Sequence, residues 1–74
     1  MTKDELKWEI NIITGDWELK VNNEIIIELD INKGVWSVWL TDADRQASIN
    51  IGDYYFISEA KEKGLKVAKA IIEY

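Results

Sequence analysis

Apolar and polar residues alternate along much of this chain, and the pattern is clearest in the segment EIIIELDI, residues 24–31. From Ile25 to Ile31 every second residue is apolar, whereas three of the four alternate positions are acidic. Successive side chains of a β-strand point to opposite faces of the sheet, so this period of two predicts a strand with one buried face. A chain patterned in this way is expected to fold around an antiparallel sheet.

The same period of two recurs on both sides of that segment. Four further strands are predicted over residues 6–12, 17–21, 35–41 and 47–51. Residues that favour turns lie between them: TGD at 14–16, NN at 22–23, NKG at 32–34 and GD at 52–53. The two asparagines tolerate the positive φ angles of a tight hairpin. The strands are therefore expected to follow one another as a meander.

The segment 2–13 admits a second interpretation as a helix. Its first residues match a capping box, and three apolar residues follow at helical spacing. We prefer a strand, because Trp8 and Ile12 would lie off the apolar stripe of such a helix.

The pattern changes to a helical period near the end of the chain, and a helix is predicted over about 59–73. Ser58 is the predicted N-cap, and Glu59 lies in the first turn, where the positive end of the helix favours an acid. Gly64 costs about 1 kcal/mol relative to alanine in mid-helix, so we expect the helix to approach the sheet closely there. The predicted fold is α+β, an antiparallel β-meander of four or five strands with one C-terminal helix packed on one face, in a single domain, 1–74.

One helix covers about one face of such a sheet, which leaves an inner face against the helix and an outer face away from it. Tyr54, Tyr55 and Phe56, just before the helix, are expected to pack in the core and at the sheet edge. The inner face is predicted to carry Trp8, Ile10, Trp17, Leu19, Ile25, Ile27, Leu29, Trp36 and Val38. The outer face is predicted to carry Glu9, Ile13, Glu18, Lys20, Glu24, Ile26, Glu28, Asp30, Ser37 and Trp39.

The composition argues against an enzyme. The chain has no histidine and no cysteine, which removes the commonest general base, the thiolate nucleophile and the commonest transition-metal ligands. Asp42 and Asp44 lack a third ligand for a cation, and DINKG at 30–34 lacks the distal glutamate of a calcium loop. We therefore expect no catalytic residues, no metal site and no cofactor.

The charge is acidic and concentrated at the front of the chain. The net charge is −5, and residues 1–30 hold eight of the 14 acidic residues against three lysines. Such a chain is repelled by nucleic acid and by anionic membranes, and is attracted to basic grooves on proteins. It has no long apolar run and no signal-peptide pattern, so a cytoplasmic location is expected.

The outer face is the predicted partner-binding surface. An apolar spot of Ile13, Ile26 and Trp39 is expected within its acids, and tryptophan is a common anchor at protein interfaces. Carboxylates two apart on a strand lie about 6.6 Å from each other, comparable to the phosphate spacing of nucleic acid. The predicted contact residues are Trp39, Ile26, Glu18, Glu24, Glu28 and Asp30. Two alternatives stay open: a face that is simply solvated, and a homodimer that buries Trp39.

The order of these motifs also suggests a class of protein. Tryptophan-bearing strands, a G-x-W step at Gly34–Trp36 and the closing SEAKEKGLKVAKAII resemble small acidic β-meander–helix proteins of phages and prophages. That resemblance implies binding to a host protein, and inhibitors of restriction or CRISPR nucleases are one use of the class. The expected partner is thus a host nuclease or DNA-binding complex with a basic groove, bound by a monomer or homodimer.

Overall fold

The computed structural model describes residues 6–73 of the protein. Five strands form one antiparallel sheet, and a single helix packs on one of its faces, which confirms the predicted α+β meander. The elements are β1 Trp8–Ile10, β2 Trp17–Lys20, β3 Ile25–Asn32, β4 Val35–Asp42, β5 Ser48–Tyr54 and α1 Ile57–Glu73.

The strands follow the chain across the sheet in the order β1-β2-β3-β4-β5, each antiparallel to its neighbour. The tightest connection joins β3 to β4 through Lys33 and Gly34, both at positive φ, 54° and 80°. Two central residues at positive φ are the requirement of a type I′ hairpin, which glycine satisfies without strain. The turn predicted at NKG is confirmed.

The core lies between the inner face and α1. Fully buried side chains from the three central strands meet small residues of the helix; they are Leu19, Val21, Ile27, Leu29, Val38, Ala60 and Ala68. Trp8, Trp17 and Trp36 are half-buried against this cluster, as predicted. Ile10 was predicted to face the core, but it ends the short edge strand and is 52% exposed.

The first strand and the turn after β2 differ from the sequence prediction. The first strand stops at Ile10, and Ile12, predicted to continue it, lies in the following turn and is 93% exposed. Residues 2–5 of the proposed helix lie outside the described part. Asn22 and Asn23 do not adopt positive φ; instead the Asn22 Oδ1 accepts hydrogen bonds from the backbone N–H groups of Glu24 and Ile25.

The predicted turn at 52–53 is wrong, because β5 continues to Tyr54. A register shift between Val38 and Trp39 lets Gly52 and Asp53 stay paired with β4. Such a bulge takes up an extra residue without ending the strand. The helix then begins at Ile57, and the carbonyl of Phe56, not Ser58, accepts its first hydrogen bonds.

At Gly64 α1 lies close against the sheet, as the position of this glycine in mid-helix predicted. A Cβ built on this residue would lie 2.8 Å from the Trp8 ring and 3.0 Å from a methyl group of Ile27. Ala60, Gly64 and Ala68 are all buried and recur every fourth residue, so they form one small-residue stripe on the helix. The glycine thus sets the distance between helix and sheet.

We predict that Gly64→Ala lowers the free energy of unfolding. Alanine gains about 1 kcal/mol in helix propensity, but an added methyl group in a packed core costs about 1–3 kcal/mol. A net loss of about 1 kcal/mol is expected by chemical denaturation. In a Trp8→Phe background the loss should shrink, because the shorter ring leaves room. If Gly64→Ala instead raised the free energy of unfolding by about 1 kcal/mol in both backgrounds, the helix would have room for a methyl group beside Trp8.

Candidate functional site

The strand register aligns the acids of the outer face in a row. Glu9 on β1 lies opposite Glu18 on β2, which lies opposite Glu28 on β3. Glu28 in turn lies opposite Trp39 on β4. Trp39 therefore lies on the outer face beside the acids, as its odd spacing from Trp36 predicted.

A shallow concavity of about 200 Å³ opens on this face. We call it the acidic concavity, and its lining residues are Asp16, Glu28, Asp30, Trp39, Thr41 and Ser48. The Trp39 indole Nε1 donates a hydrogen bond to Asp30 Oδ1 at 3.2 Å, which holds the ring beside the carboxylates. Trp39 is half-buried there rather than standing free in solvent.

Arg45 supplies positive charge to one side of the row. It lies in the β4–β5 loop, residues 43–47, and its Nη2 is 2.8 Å from Glu18 Oε2. Its Nε is 3.9 Å from Glu28 Oε2, a longer and weaker contact. Within residues 6–73 no ion pair joins Asp16 or Asp30 to a cation, so this side of the face keeps its negative charge.

Asp16, which precedes β2, and Glu18, which lies on it, have opposite pKa shifts. Burial, followed by repulsion from Asp30 and Glu28, raises the pKa of Asp16. Burial also acts to raise the pKa of Glu18, but hydrogen bonds from Asn11 and Arg45 outweigh it and lower that pKa. Glu18 is therefore stabilised as a carboxylate by the fold, whereas Asp16 is not.

The β4–β5 loop also covers part of the outer face. The Ala43 backbone N–H donates to the Glu24 carbonyl at 2.8 Å and ties the loop to the start of β3. Ala43 and Arg45 line a cavity together with Ile26, which is only 5% exposed. The expectation that Ile26 belongs to an exposed apolar spot is wrong, because this loop folds over it.

Ile13 and Glu24 also lie outside the acidic concavity. Ile13 lies in the β1–β2 turn, 92% exposed, and not on the sheet. Glu24 precedes β3 in an exposed bend, away from the residues that line the acidic concavity. The structure brings together Trp39, Glu28 and Asp30 from the predicted contact set, with Glu18 next to them in the register.

Four residues in or beside the acidic concavity were not predicted as site residues: Asp16, Thr41 and Ser48, which line it, and Arg45, which pairs with the acids next to it. Asp16 precedes β2 within the predicted turn TGD, where its acid could have been noticed from its spacing to Glu18. Arg45 reaches Glu18 across 27 residues of chain, and no local pattern signals such a contact. Thr41 ends the predicted strand 35–41; it is 3% exposed, and its Oγ1 has no hydrogen-bond partner.

Asp42, one of the two acids considered for a cation, has a structural role in its loop. The Asp42 Oδ1 accepts a hydrogen bond from the Gln46 backbone N–H, so it holds the β4–β5 loop together. No group of three or more acidic side chains within the described residues is arranged to hold a metal ion.

Exposed aromatic residues occur between β5 and α1, where packing was predicted. Tyr54 does pack against the core. Tyr55 and Phe56 are 78% and 67% exposed, because they form the short connection and both point away from the core. Within the described chain, α1 is not long and apolar enough to cross a membrane.

Comparison of the chain with known protein families, curated proteins and solved structures finds no match. Its function is therefore inferred from its own residues.

We predict that Asp16→Asn and Glu18→Gln shift stability in opposite directions at pH 7. Asparagine removes a crowded charge and should raise the free energy of unfolding by roughly 0.5 kcal/mol. Glutamine loses the ion pair with Arg45 and should lower it by a similar amount. Thermal and chemical denaturation of both variants beside the wild type measure these changes.

The pH dependence follows from the two pKa shifts. Because the pKa of Asp16 is raised on folding, its protonated form costs no stability below the unfolded value near 3.8, and its ionisation destabilises the fold as the pH rises through the folded pKa. Because the pKa of Glu18 is lowered, its contribution is present above 4.5 and is lost as the pH falls. Both differences should therefore vanish in acid. A destabilised Asp16→Asn at pH 7 would contradict the crowding of this carboxylate.

We predict that Thr41→Val raises the free energy of unfolding by about 1 kcal/mol. The substitution keeps the shape of the side chain and removes a buried hydroxyl that lacks a partner. Valine is also favoured in a strand. A loss of stability measured by urea denaturation would mean that the hydroxyl is already satisfied in solution.

Proposed function

We propose that the protein is a non-catalytic binding protein that inhibits a host nucleic-acid-handling or defence complex, as an anti-CRISPR protein does. In this proposal a phage or other mobile element encodes it, and it acts in the host cytoplasm. The observation that carries the proposal is the convergence of Asp16, Glu28 and Asp30 beside Trp39, with no cation paired to Asp16 or Asp30 among residues 6–73.

Uncompensated acids of this kind favour a basic partner. Burial and mutual repulsion raise the pKa of Asp16, which means that its charged form is disfavoured in the free protein. A cationic surface placed against it would relieve that repulsion, so part of the binding free energy comes from the crowding itself. Complementary charge also speeds encounter and excludes acidic partners.

The geometry of the acids resembles that of a nucleic-acid backbone. Glu28 and Asp30 are separated by one residue on β3, which places them about 6.6 Å apart. The row Glu9, Glu18 and Glu28 extends across strands spaced by about 4.8 Å. A groove that binds phosphates carries the complementary charge.

Self-association through the outer face is less well supported. Two copies paired on this face would set like charges opposite each other, which is unfavourable. Ile26, which was expected to add apolar area, is covered by the β4–β5 loop.

We expect a variant with a neutralised outer face to lose its partner. Glu28→Gln with Asp30→Asn removes two charges while keeping an amide oxygen that can accept the Trp39 hydrogen bond. Glu59→Gln with Glu62→Gln is the matched control, because it removes two charges from exposed positions on α1. Affinity capture from bacterial lysate, quantified by mass spectrometry, should retain a nucleic-acid-binding complex with wild type and control, and lose it with the outer-face variant.

The captured complex is then purified and tested for inhibition. Added wild-type protein should displace nucleic acid from it, and the neutralised variant should not. Equal capture by both double variants would contradict the proposal. Capture of nothing, together with a dimer in light scattering that the outer-face variant alters, would support the homodimer instead.

A further inference from the structure

The β4–β5 loop is a compact unit that its own hydrogen bonds hold together. The Asp42 backbone N–H donates to the Ala47 carbonyl at 3.1 Å, and the Arg45 N–H donates to the Asp42 carbonyl at 2.9 Å. The Gln46 N–H donates to Asp42 Oδ1 at 2.9 Å. All three bonds lie within residues 42–47, so the loop can keep its shape when it moves away from the sheet.

One backbone hydrogen bond and the ion pairs of Arg45 join this loop to the outer face. The Ala43 N–H donates to the Glu24 carbonyl, and Arg45 lies 2.8 Å from Glu18 and 3.9 Å from Glu28. The Arg45 side chain is 47% exposed, and ion pairs at exposed positions stabilise a fold only slightly. Its backbone is at a φ of 56°, which residues other than glycine rarely adopt. The loop is therefore held weakly in its closed position.

The loop also packs incompletely on the strands below it. A cavity of about 380 Å³ is lined both by the loop residues Ala43 and Arg45 and by the strand residues Glu18 and Ile26. Contacts that a cavity removes are lost to the packing energy of the residues around it. Ile26 is nevertheless only 5% exposed, so opening of the loop would uncover an apolar side chain on the outer face.

Arg45 binds the acids of this face in the way that a cation of a basic partner would. A carboxylate already paired with a guanidinium group has less attraction left for a second cation, so the partner must compete with Arg45. Glu18 also accepts a hydrogen bond from Asn11 Nδ2 at 2.9 Å, which keeps its carboxylate on this face when Arg45 leaves. Displacement of Arg45 therefore makes Glu18 and Glu28 available together.

We propose that the β4–β5 loop is an autoinhibitory cover of the outer face, which a basic partner opens by displacing Arg45 from Glu18 and Glu28. The inference rests on the proposed function, since it describes how the same face is regulated. In the closed state Arg45 neutralises part of the acidic row. In the open state both carboxylates and Ile26 join the contact surface, so a partner that supplies cations gains an apolar contact as well.

The first test uses a blocked hexalysine peptide as the basic probe and the whole protein at low ionic strength, where exposed ion pairs are least screened. The chain has a single arginine, so the side-chain Nε–H signal of Arg45 is unambiguous in two-dimensional NMR. That signal should move saturably towards the position of free arginine. Amide hydrogen exchange of Ala43 should accelerate by about fivefold or more, because opening breaks its bond to the Glu24 carbonyl.

Two controls accompany this titration. The Val21 N–H donates to the Ile25 carbonyl in the β2–β3 turn, and its exchange rate should not change, because that turn stays folded when the loop opens. A hexaglutamate peptide, which carries the opposite charge, should leave both the Arg45 signal and the exchange of Ala43 as they are in the free protein.

The second test compares Arg45→Gln with Lys33→Gln. Both substitutions remove one positive charge from an exposed residue at positive φ, but Lys33 has no ion pair within the described residues. The difference between the variants therefore reports the displacement of Arg45 and not the change in net charge. Arg45→Gln should bind hexalysine with a Kd about twofold to fivefold below that of Lys33→Gln. Its Ala43 amide should also exchange faster in the free protein.

Several results would overturn the inference. Hexalysine that does not bind, or that binds without moving the Arg45 signal and the exchange of Ala43, shows that the loop does not respond to a basic partner. Equal Kd values for Arg45→Gln and Lys33→Gln show that Arg45 does not compete for the acids. The same holds if the Ala43 amide exchanges only as slowly as that of Val21 in every sample.

These outcomes are distinct from those of the proposed function, which affinity capture tests. A complex retained by the wild type while hexalysine leaves the loop closed overturns the cover alone. Hexalysine that opens the loop, with no complex captured from lysate, supports the cover and contradicts the proposed function.

Discussion

Three small residues of α1 bring the helix onto the sheet, and the rest of the structure depends on that contact. Ala60, Gly64 and Ala68 are buried, and a methyl group on Gly64 would meet both Trp8 and Ile27. The close approach closes one core between the helix and the inner face. Because the chain described has no second helix to cover the opposite side, the outer face must be stabilised by polar contacts and by its own loop.

Because no helix of the described chain covers the outer face, that face combines a loop-covered apolar part with exposed charges. The β4–β5 loop folds back over Ile26, and Arg45 from this loop pairs with Glu18. Arg45 thus supplies positive charge to one side of the acidic row. On the other side Asp16 and Asp30 are crowded together. On the loop side the buried hydroxyl of Thr41, opposite Ile26, lacks a partner. Natural proteins keep such unfavourable groups mostly at functional sites, where a partner offsets their cost to folding.

The features that could be predicted from sequence are those with a local cause. A period of two assigns residues to faces, so the odd spacing of Trp36 and Trp39 placed them on opposite sides. A glycine in mid-helix is unfavourable, so Gly64 indicated that another part of the chain packs too closely there for a larger side chain. The turn at Lys33 and Gly34 follows from the backbone freedom of glycine.

The features that could not be predicted depend on contacts between distant residues. Gly52 and Asp53 favour a turn locally, yet a bulge against β4 keeps them in a strand. The burial of Ile26 depends on a loop tied to Glu24 through the Ala43 backbone. Of the candidate site, Glu28, Asp30 and Trp39 were visible in the alternation, but the acidic concavity forms only once β3, β4 and β5 are in register and Asp16 lies beside them.

The central claim is that the acids beside Trp39 are crowded and lack enough positive charge in the free protein. Titration of the side-chain carboxyl groups by carbon-detected NMR tests it most directly, because each carboxyl is observed separately. The pKa of Asp16 should lie above the ordinary value of 3.8 and should fall when a basic peptide binds, while that of Glu18 should lie below 4.5. An Asp16 pKa at or below its ordinary value, unchanged by the peptide, would contradict the account.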